Sequence, residues 1–151
     1  MGDDARTIDQ VFREGVALAR PWFTVRAPRS PLVIASDALP VTTSLYQAAK
    51  IAAAVAPLLE PGGTLALVAE CPEGIGPLDV VNEAIFRIGI LPRLPPGARL
   101  VLVSALDRDR VERTLLEYAP SLDSLLAGLP SSAPIAVVPH ASKLICEPAS
   151  P

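Results

Sequence analysis

Four short apolar runs constrain the fold of this chain more than any other feature of its sequence. They lie at Pro31–Ser36, Thr64–Ala69, Leu100–Ser104 and Ile135–Val138. Each run is continuously apolar rather than alternating, which is typical of strands that are buried on both faces, as they are in parallel sheets. The four runs therefore predict the strands of a central sheet.

The segments between these runs have helical patterns. Thr7 is a candidate N-cap for a first helix that should end at Pro21, and Ser44 is a candidate N-cap for a helix that reaches about Leu59. The remaining helices are predicted from apolar spacing and capping residues, over Asp79–Ile88, Asp107–Tyr118 and Ser121–Leu129.

Alternation of strands and helices with short connections predicts an α/β fold. We expect a three-layer sandwich, in which a mainly parallel sheet of about four strands is flanked by helices. The second helix should stop at Glu60–Gly63, where Gly62 or Gly63 is free to adopt a positive φ. Irregular chain is expected over Trp22–Pro31 and in the tail after Cys146.

Composition and charge exclude several classes of protein. Half of the 151 residues are hydrophobic and 19% are charged, which excludes a disordered chain and suits a single domain. The net charge is −3 and no basic run is present, so nucleic acid is not an expected partner. The longest uninterrupted apolar stretch, Ile51–Leu59, is much shorter than the roughly 20 residues of a spanning helix. With no recognisable secretory signal, we expect a cytoplasmic protein without a membrane partner.

Few side chains of this chain are suited to catalysis. It has one histidine, His140, and two cysteines, Cys71 and Cys146, without the spacing of a zinc site, so no catalytic residue and no metal site are predicted. One hypothesis remains for an independent small enzyme, in which Cys71 is a nucleophile and His140 its base. The alternative is an inert cysteine, with His140, Ser142 and Lys143 in a solvated C-terminal loop.

Polar side chains follow the first predicted strand at the edge of the sheet where ligands of α/β proteins bind. On a wheel of about 100° per residue, Tyr46, Gln47 and Lys50 share one face of the second helix, opposite its apolar arc. All three can donate hydrogen bonds and Lys50 adds positive charge, so the face suits a small carboxylate or hydroxy acid. The alternative is an ordinary solvated face of an amphipathic helix.

The loop after the second predicted strand is a possible cleft loop. It contains Glu70, Glu73, Gly74 and Gly76, and its glycines allow the backbone to approach a ligand closely. The two carboxylates argue against a phosphate cradle, because they would repel a phosphate. A purely structural turn is the alternative.

The same segments resemble the C-terminal domain of the nickel-pincer lactate racemase family. The most specific matches are Leu45-Tyr-Gln-Ala-Ala-Lys50, Glu60-Pro-Gly-Gly63 and Leu67-Val-Ala-Glu-Cys-Pro-Glu-Gly-Ile-Gly76. Similar, less specific segments are Arg13–Arg20, Ala119–Leu125 and Val138–His140. The resemblance covers nearly the whole chain and implies one lactate-racemase-like C-terminal domain over residues 1–151.

This resemblance implies a function for the polar face. Tyr46, Gln47 and Lys50 would contact a 2-hydroxy acid and help to close a cleft between two domains. In the family, the larger N-terminal domain supplies the histidines and holds the nickel pincer nucleotide. The expectation is therefore a chain that binds no cofactor by itself, is inactive alone, and needs an N-terminal racemase domain or subunit as its partner.

Departures from the family pattern leave a second hypothesis open. The loop Ser36–Thr43 lacks the paired glycines and the Asp-Ile-Asn expected before Leu-Tyr-Gln, and Pro77–Arg99 is shorter than the usual helical insertion. Under this second hypothesis, the chain is a non-catalytic interaction or scaffold module of the same fold that has lost substrate binding.

Overall fold

A five-stranded sheet with helices on its two faces forms the centre of the protein, of which the computed structural model describes residues 7–130 and 132–149. In chain order, the strands are β1 (Thr24–Ala27), β2 (Ser30–Ser36), β3 (Leu59–Val68), β4 (Arg99–Val103), β5 (Glu117–Ala119), β6 (Ile135–Val138) and β7 (Ile145–Pro148). The helices are α1 (Ile8–Phe23), α2 (Leu45–Ala48), α3 (Lys50–Val55), α4 (Arg108–Val111) and α5 (Leu122–Leu126), with a π-helix at Val80–Ile90 and 3₁₀ turns at Ala56–Leu58, Leu91–Arg93 and Ala141–Lys143.

The central sheet is parallel, with the strand order β5-β4-β3-β2-β6. Val33 and Ala35 of β2 face the core cluster that includes α2, α3 and the π-helix, whereas Leu32 and Ile34 pack in a second cluster with α5. The predicted α/β sandwich with a mainly parallel sheet is therefore confirmed, and the sheet has five strands rather than about four.

β3 begins earlier than predicted and contains a bulge. Ser30 pairs with Leu59 and Leu32 pairs with Thr64, so the four residues 60–63 of β3 lie opposite the single residue Pro31 of β2. Gly62 has a φ of +73°, as the sequence allowed. A Cβ on Gly63 would lie 2.9 Å from the carbonyl oxygens of Glu60 and Pro31, so the bulge requires glycine there.

The helix predicted from Ser44 to about Leu59 is interrupted. α2 ends at Ala48, α3 begins at Lys50, and a 3₁₀ turn then leads into β3. Pro57 cannot donate a backbone hydrogen bond, which accounts for the 3₁₀ turn. Nothing in the sequence marks the break at Ala49.

The prediction of one long helix over Asp107–Tyr118 is wrong beyond the first turn. α4 ends at Val111, and Glu117–Ala119 forms the edge strand β5, which pairs with β4. Across these two strands, the guanidinium of Arg99 donates to the carboxylate of Glu117, and this pairing raises the pKa of Arg99 and lowers that of Glu117. The cross-strand contact therefore holds a strand that is too short to be recognised by pattern.

The first helix has the predicted N-cap and a different end. Thr7 and Gln10 form a capping box at its start. Pro21 lies inside α1, which continues to Phe23 because a proline in the last turn removes only one backbone donor. The Thr24 hydroxyl then donates to the carbonyl of Arg20 at 2.8 Å.

Two segments expected to be irregular form a small parallel sheet. β1, within Trp22–Pro31, pairs with β7, which includes Glu147 and Pro148 from the tail after Cys146. Arg20 and Arg26 donate to the carboxylate of Glu147 at 2.7 and 3.2 Å. These contacts join residues far apart in the sequence, which is why local patterns did not predict them.

The helix predicted over Asp79–Ile88 is present as an unusually long π-helix, Val80–Ile90. The side-chain amide of Asn82 donates to the carbonyl of Arg113 at 3.0 Å, and Val81, Phe86 and Ile90 are buried. No helix among the described residues is long and apolar enough to cross a lipid bilayer.

Candidate functional site

The two loops singled out in the sequence lie side by side. Because β2 and β3 pair in parallel up to Ser36 and Val68, their carboxyl ends meet at one edge of the sheet. There the backbone N–H of Cys71 donates to the carbonyl of Thr42 at 3.1 Å, and that of Glu73 donates to the carbonyl of Thr43 at 2.8 Å. The cleft loop is therefore fixed to the first loop by backbone hydrogen bonds.

The cleft loop also fixes the start of α2. The N–H groups of Leu45 and Tyr46 donate to the carbonyls of Gly74 and Ile75, both at 3.0 Å. Gly76 has a φ of +89°, and a Cβ there would lie 2.9 Å from the Cβ of Tyr46. The loop thus occupies the first N–H groups of α2 and determines the position of Tyr46.

Tyr46, Gln47 and Lys50 form one polar cluster on α2 and α3. The Lys50 ammonium donates to Oε1 of Gln47 at 2.9 Å and lies 4.8 Å from the centroid of the Tyr46 ring, within cation–π range. Gln47 and Lys50 are exposed, and Tyr46 is half-buried. The Gln47 amide N–H groups and the Tyr46 hydroxyl make no hydrogen bond to another described residue, so they remain available as donors.

The opposite side of this segment anchors the polar cluster. The predicted apolar arc is buried, and four of its residues are at most 1% exposed, namely Leu45, Ala48, Ala52 and Val55. Burial of this arc against the sheet leaves the polar residues pointing outward. The break at Ala49 does not change which side faces the core.

A small cavity beside Lys50 adds a residue that the sequence did not reveal. The cavity has a volume of about 190 Å³ and is lined by Lys50, Ala53, Ala84, Ile85, Gly89, Ile90 and Arg93. No carboxylate among residues 7–130 and 132–149 lies within ion-pair distance of Lys50 or Arg93. Two cations above an apolar floor suit a small anion with a short carbon chain. Arg93 was missed because it lies in a proline-rich connector without a recognisable motif.

The carboxylates of the cleft loop have a different setting. Glu70 and Glu73 are exposed, and neither forms an ion pair with Lys50. The carbonyl of Glu70 accepts from the N–H of Ala105 at 3.2 Å, which ties the loop to the segment after β4. Ile75 contacts the polar cluster through its backbone bond to Tyr46, and Gly76 lies against the Tyr46 side chain, whereas Gly74 bonds to Leu45.

A second polar group lies at the carboxyl ends of β2 and β6. The nearly buried Asp37 carboxylate accepts from the backbone N–H groups of Ala38 and Ser142, both at 2.8 Å, and lies 3.8 Å from Nδ1 of His140. Burial by itself raises the pKa of Asp37, but hydrogen bonds from Ser142 and Ala38 and the nearby His140 outweigh it, so the pKa is lowered. Asp37 therefore ties the loop after β6 to the end of β2.

Cys71 does not have the surroundings of a nucleophile. It is buried, and burial raises the pKa of its thiol to about 11, so the thiolate is scarce at neutral pH. Burial raises the pKa of Cys146 as well. These findings argue against the hypothesis of an enzyme that uses Cys71 with His140.

The residues described here do not fit a nickel centre. No group of three or more His, Cys, Asp or Glu side chains in residues 7–130 and 132–149 could hold one metal ion.

The fold is similar to that of a solved structure, the lactate racemase apoprotein from Thermoanaerobacterium thermosaccharolyticum, with a TM-score of 0.72. The match covers 92% of this chain and 40% of the racemase chain, at 18% sequence identity. No family model matches the sequence, and no curated protein sequence is significantly similar to it. The comparison shows a related fold, and this chain spans less than half the length of the racemase chain.

Proposed function

We propose that this chain is the substrate-contacting C-terminal domain of a lactate-racemase-type isomerase, and that it binds a small 2-hydroxy acid through Tyr46, Gln47 and Lys50. The observation that carries the proposal is the cluster itself. A cation, an amide and a phenol converge within one turn, with Lys50 4.8 Å from the Tyr46 ring and 2.9 Å from Gln47. The related fold of a lactate racemase supports the same substrate class.

The chemistry of a 2-hydroxy acid matches the groups of this site. Lys50 and Arg93 supply positive charge and charge-assisted hydrogen bonds for the carboxylate. The Gln47 amide and the Tyr46 hydroxyl form hydrogen bonds with the substrate hydroxyl. The cavity floor of Ala53, Ala84 and Gly89 accepts a short alkyl group.

The proposed domain acts as one wall of a cleft and does not catalyse alone. No group of three metal donors is present in residues 7–130 and 132–149. In our proposal, the nickel pincer nucleotide and the catalytic histidines belong to an N-terminal racemase domain or subunit. The match covers 40% of the racemase chain, which supports the assignment of substrate contacts and cofactor binding to two different domains. The proposed site of action is the cytoplasm.

A titration with two ligands tests the proposal. Backbone amide shifts of the full chain are followed with lactate and with propionate, which lacks the hydroxyl group. We expect saturable shifts at Tyr46, Gln47 and Lys50 that are stronger with lactate, at about millimolar affinity. In parallel, conversion of D-lactate to L-lactate by the chain alone should stay at the background rate.

Two results would overturn this function. Absence of saturable shifts in the α2–α3 segment would favour a scaffold module of the same fold that has lost substrate binding. Turnover of lactate by the purified chain would show that catalysis does not depend on a partner.

A further inference from the structure

The first helix has an apolar face that the described residues, 7–130 and 132–149, leave exposed. At about 100° per residue, one arc of α1 contains its large apolar side chains, with Gly15 and Ala19 between them. No residue of α1 is buried, and Trp22 is 86% exposed. The large apolar residues of this face, which we call the α1 face, are Ile8, Val11, Phe12, Val16, Leu18, Trp22 and Phe23.

The α1 face is larger than the apolar patches of ordinary monomers. With their observed exposures, its three aromatic side chains alone present about 300–500 Å². The four aliphatic residues add to this area, whereas the largest patch of a typical monomer is about 300–600 Å². The total approaches the roughly 800 Å² that each partner contributes to a standard protein–protein interface.

The charges beside the α1 face are complementary to those of a second copy. In an antiparallel pair with its two-fold axis between Glu14 and Gly15, residues whose numbers sum to 29 lie opposite each other. Asp9 of one copy then lies opposite Arg20 of the other at the same edge of the apolar arc, where the contact would add to the pairs that Asp9 forms with Arg13 and Arg20 with Glu147 within each copy. Val11 lies opposite Leu18 in the same register.

A lipid surface is a poorer match for this helix. Interfacial helices are rich in lysine and arginine on their polar face. The polar face of α1 carries Asp9 and Glu14 as well as Arg13 and Arg20, so it has no excess of positive charge. Asp9 and Arg13 also form an ion pair with each other at 2.8 Å.

We infer that the α1 face is a homodimer interface, in which the helices of two copies pack antiparallel. Gly15 and Ala19 allow close approach, since a Cβ on Gly15 would meet no atom within 4 Å. Arg20 and Thr24 hold the C-terminal end of α1 against β7 and β1, which leaves the face open to the partner copy. This interface does not depend on the proposed substrate binding.

The chain contains its own reporter for this interface. Trp22 is the only tryptophan, so its emission reports burial of the α1 face. Sedimentation and Trp22 fluorescence are measured over a wide range of protein concentration for the full chain, Phe12→Glu and Ala17→Glu. Ala17 is exposed on the opposite side of α1 and is the matched control.

We expect the wild type to dimerise with a blue shift of Trp22 emission as concentration rises. Phe12→Glu should raise the dimer dissociation constant at least about tenfold, the loss typical of an aromatic interface residue. Ala17→Glu should behave as the wild type, and circular dichroism should show all three proteins folded. A wild type that stays monomeric at every concentration would overturn the inference, as would a dimer that Phe12→Glu leaves intact. A monomer whose Trp22 shifts only with lipid vesicles would also overturn it and would favour a membrane surface.

Discussion

A side chain at position 76 has no room beside Tyr46, because a Cβ on Gly76 would lie 2.9 Å from the Cβ of Tyr46. The contact joins the end of the cleft loop to the first turn of α2. Since Tyr46 in turn lies beneath Lys50, the conformation of the loop and the geometry of the polar cluster depend on each other.

Replacing Gly76 should therefore affect both stability and the site. Gly76→Ala should destabilise the fold by more than about 1–3 kcal/mol, the usual cost of a positive φ at a residue with a side chain, because a steric clash with Tyr46 is added. Gly74→Ala is the matched control, since Gly74 has a φ of +87° but nothing within 4 Å of its added Cβ. Urea unfolding measures the stability, and the Tyr46 amide shift measures the site.

The comparison of the two variants isolates the contact. We expect only Gly76→Ala to move the Tyr46 resonance and weaken lactate binding. Equal effects of the two variants would mean that backbone strain alone matters and that the Gly76–Tyr46 contact does not position the cluster.

Elements with a strong local pattern were predictable from the sequence. β2 differs by one residue from its prediction and is buried, as a continuously apolar strand of a parallel sheet should be. β6 has its predicted bounds, Ile135–Val138, but it is an edge strand that leaves Ile135 and Val137 exposed, so the expected burial on both faces is wrong for it. The convergence of Tyr46, Gln47 and Lys50 followed from helical spacing, which the break at Ala49 leaves unchanged.

Elements that depend on distant partners were not predictable. β5 has three residues and is held by Arg99, and β7 exists through its pairing with β1 at the other end of the chain. Arg93 reaches the cavity of Lys50 only through the course of the π-helix and the following 3₁₀ turn. None of these arrangements leaves a periodic signal in the sequence.

Asp37 should make stability depend on pH. Its pKa is lower in the folded protein than in the unfolded chain, so its contribution is complete above the ordinary aspartate pKa and is lost as pH falls through the folded value. Asp37→Asn should lower the free energy of unfolding at neutral pH by about 1–3 kcal/mol. The free energy of unfolding of this variant should also fall less steeply than that of the wild type as the pH is lowered. Urea unfolding at several pH values measures both effects.

An exposed aspartate provides the control for this prediction. Asp107 precedes α4, its side chain is 82% exposed, and asparagine is an equally good N-cap. Asp107→Asn should retain the stability of the wild type at neutral pH. If the free energy of unfolding of Asp37→Asn depends on pH in the same way as that of the wild type, the Asp37 hydrogen bonds do not contribute to folding.

The two thiols should be inert in the folded protein. With a pKa of about 11, Cys71 is a thiolate in only about one molecule in ten thousand at neutral pH, and burial blocks access as well. In a Cys146→Ala variant, which leaves Cys71 as the single thiol, a disulfide reagent should react only after unfolding in urea. Rapid stoichiometric reaction of the native variant would restore the hypothesis of a Cys71 nucleophile.

Arg93 should contribute to anion binding from outside the predicted cluster. Arg93→Gln should weaken lactate binding at least about threefold, which corresponds to the upper range for an exposed charge pair. Arg87→Gln is the matched control, because Arg87 is an exposed arginine of the π-helix that pairs with Glu83 at 3.3 Å. Similar dissociation constants for the two variants would exclude the cavity from the site.

The affinity of the Lys50→Gln variant for lactate tests the central claim most directly. The chain has two lysines, so Lys143→Gln, at an exposed position of the Ala141–Lys143 turn, changes the net charge equally and is the matched control. Isothermal titration or amide shifts give the dissociation constant for each protein. We predict that Lys50→Gln weakens binding at least about tenfold while Lys143→Gln leaves it unchanged. Equal dissociation constants for Lys50→Gln and the wild type would contradict substrate binding at this site.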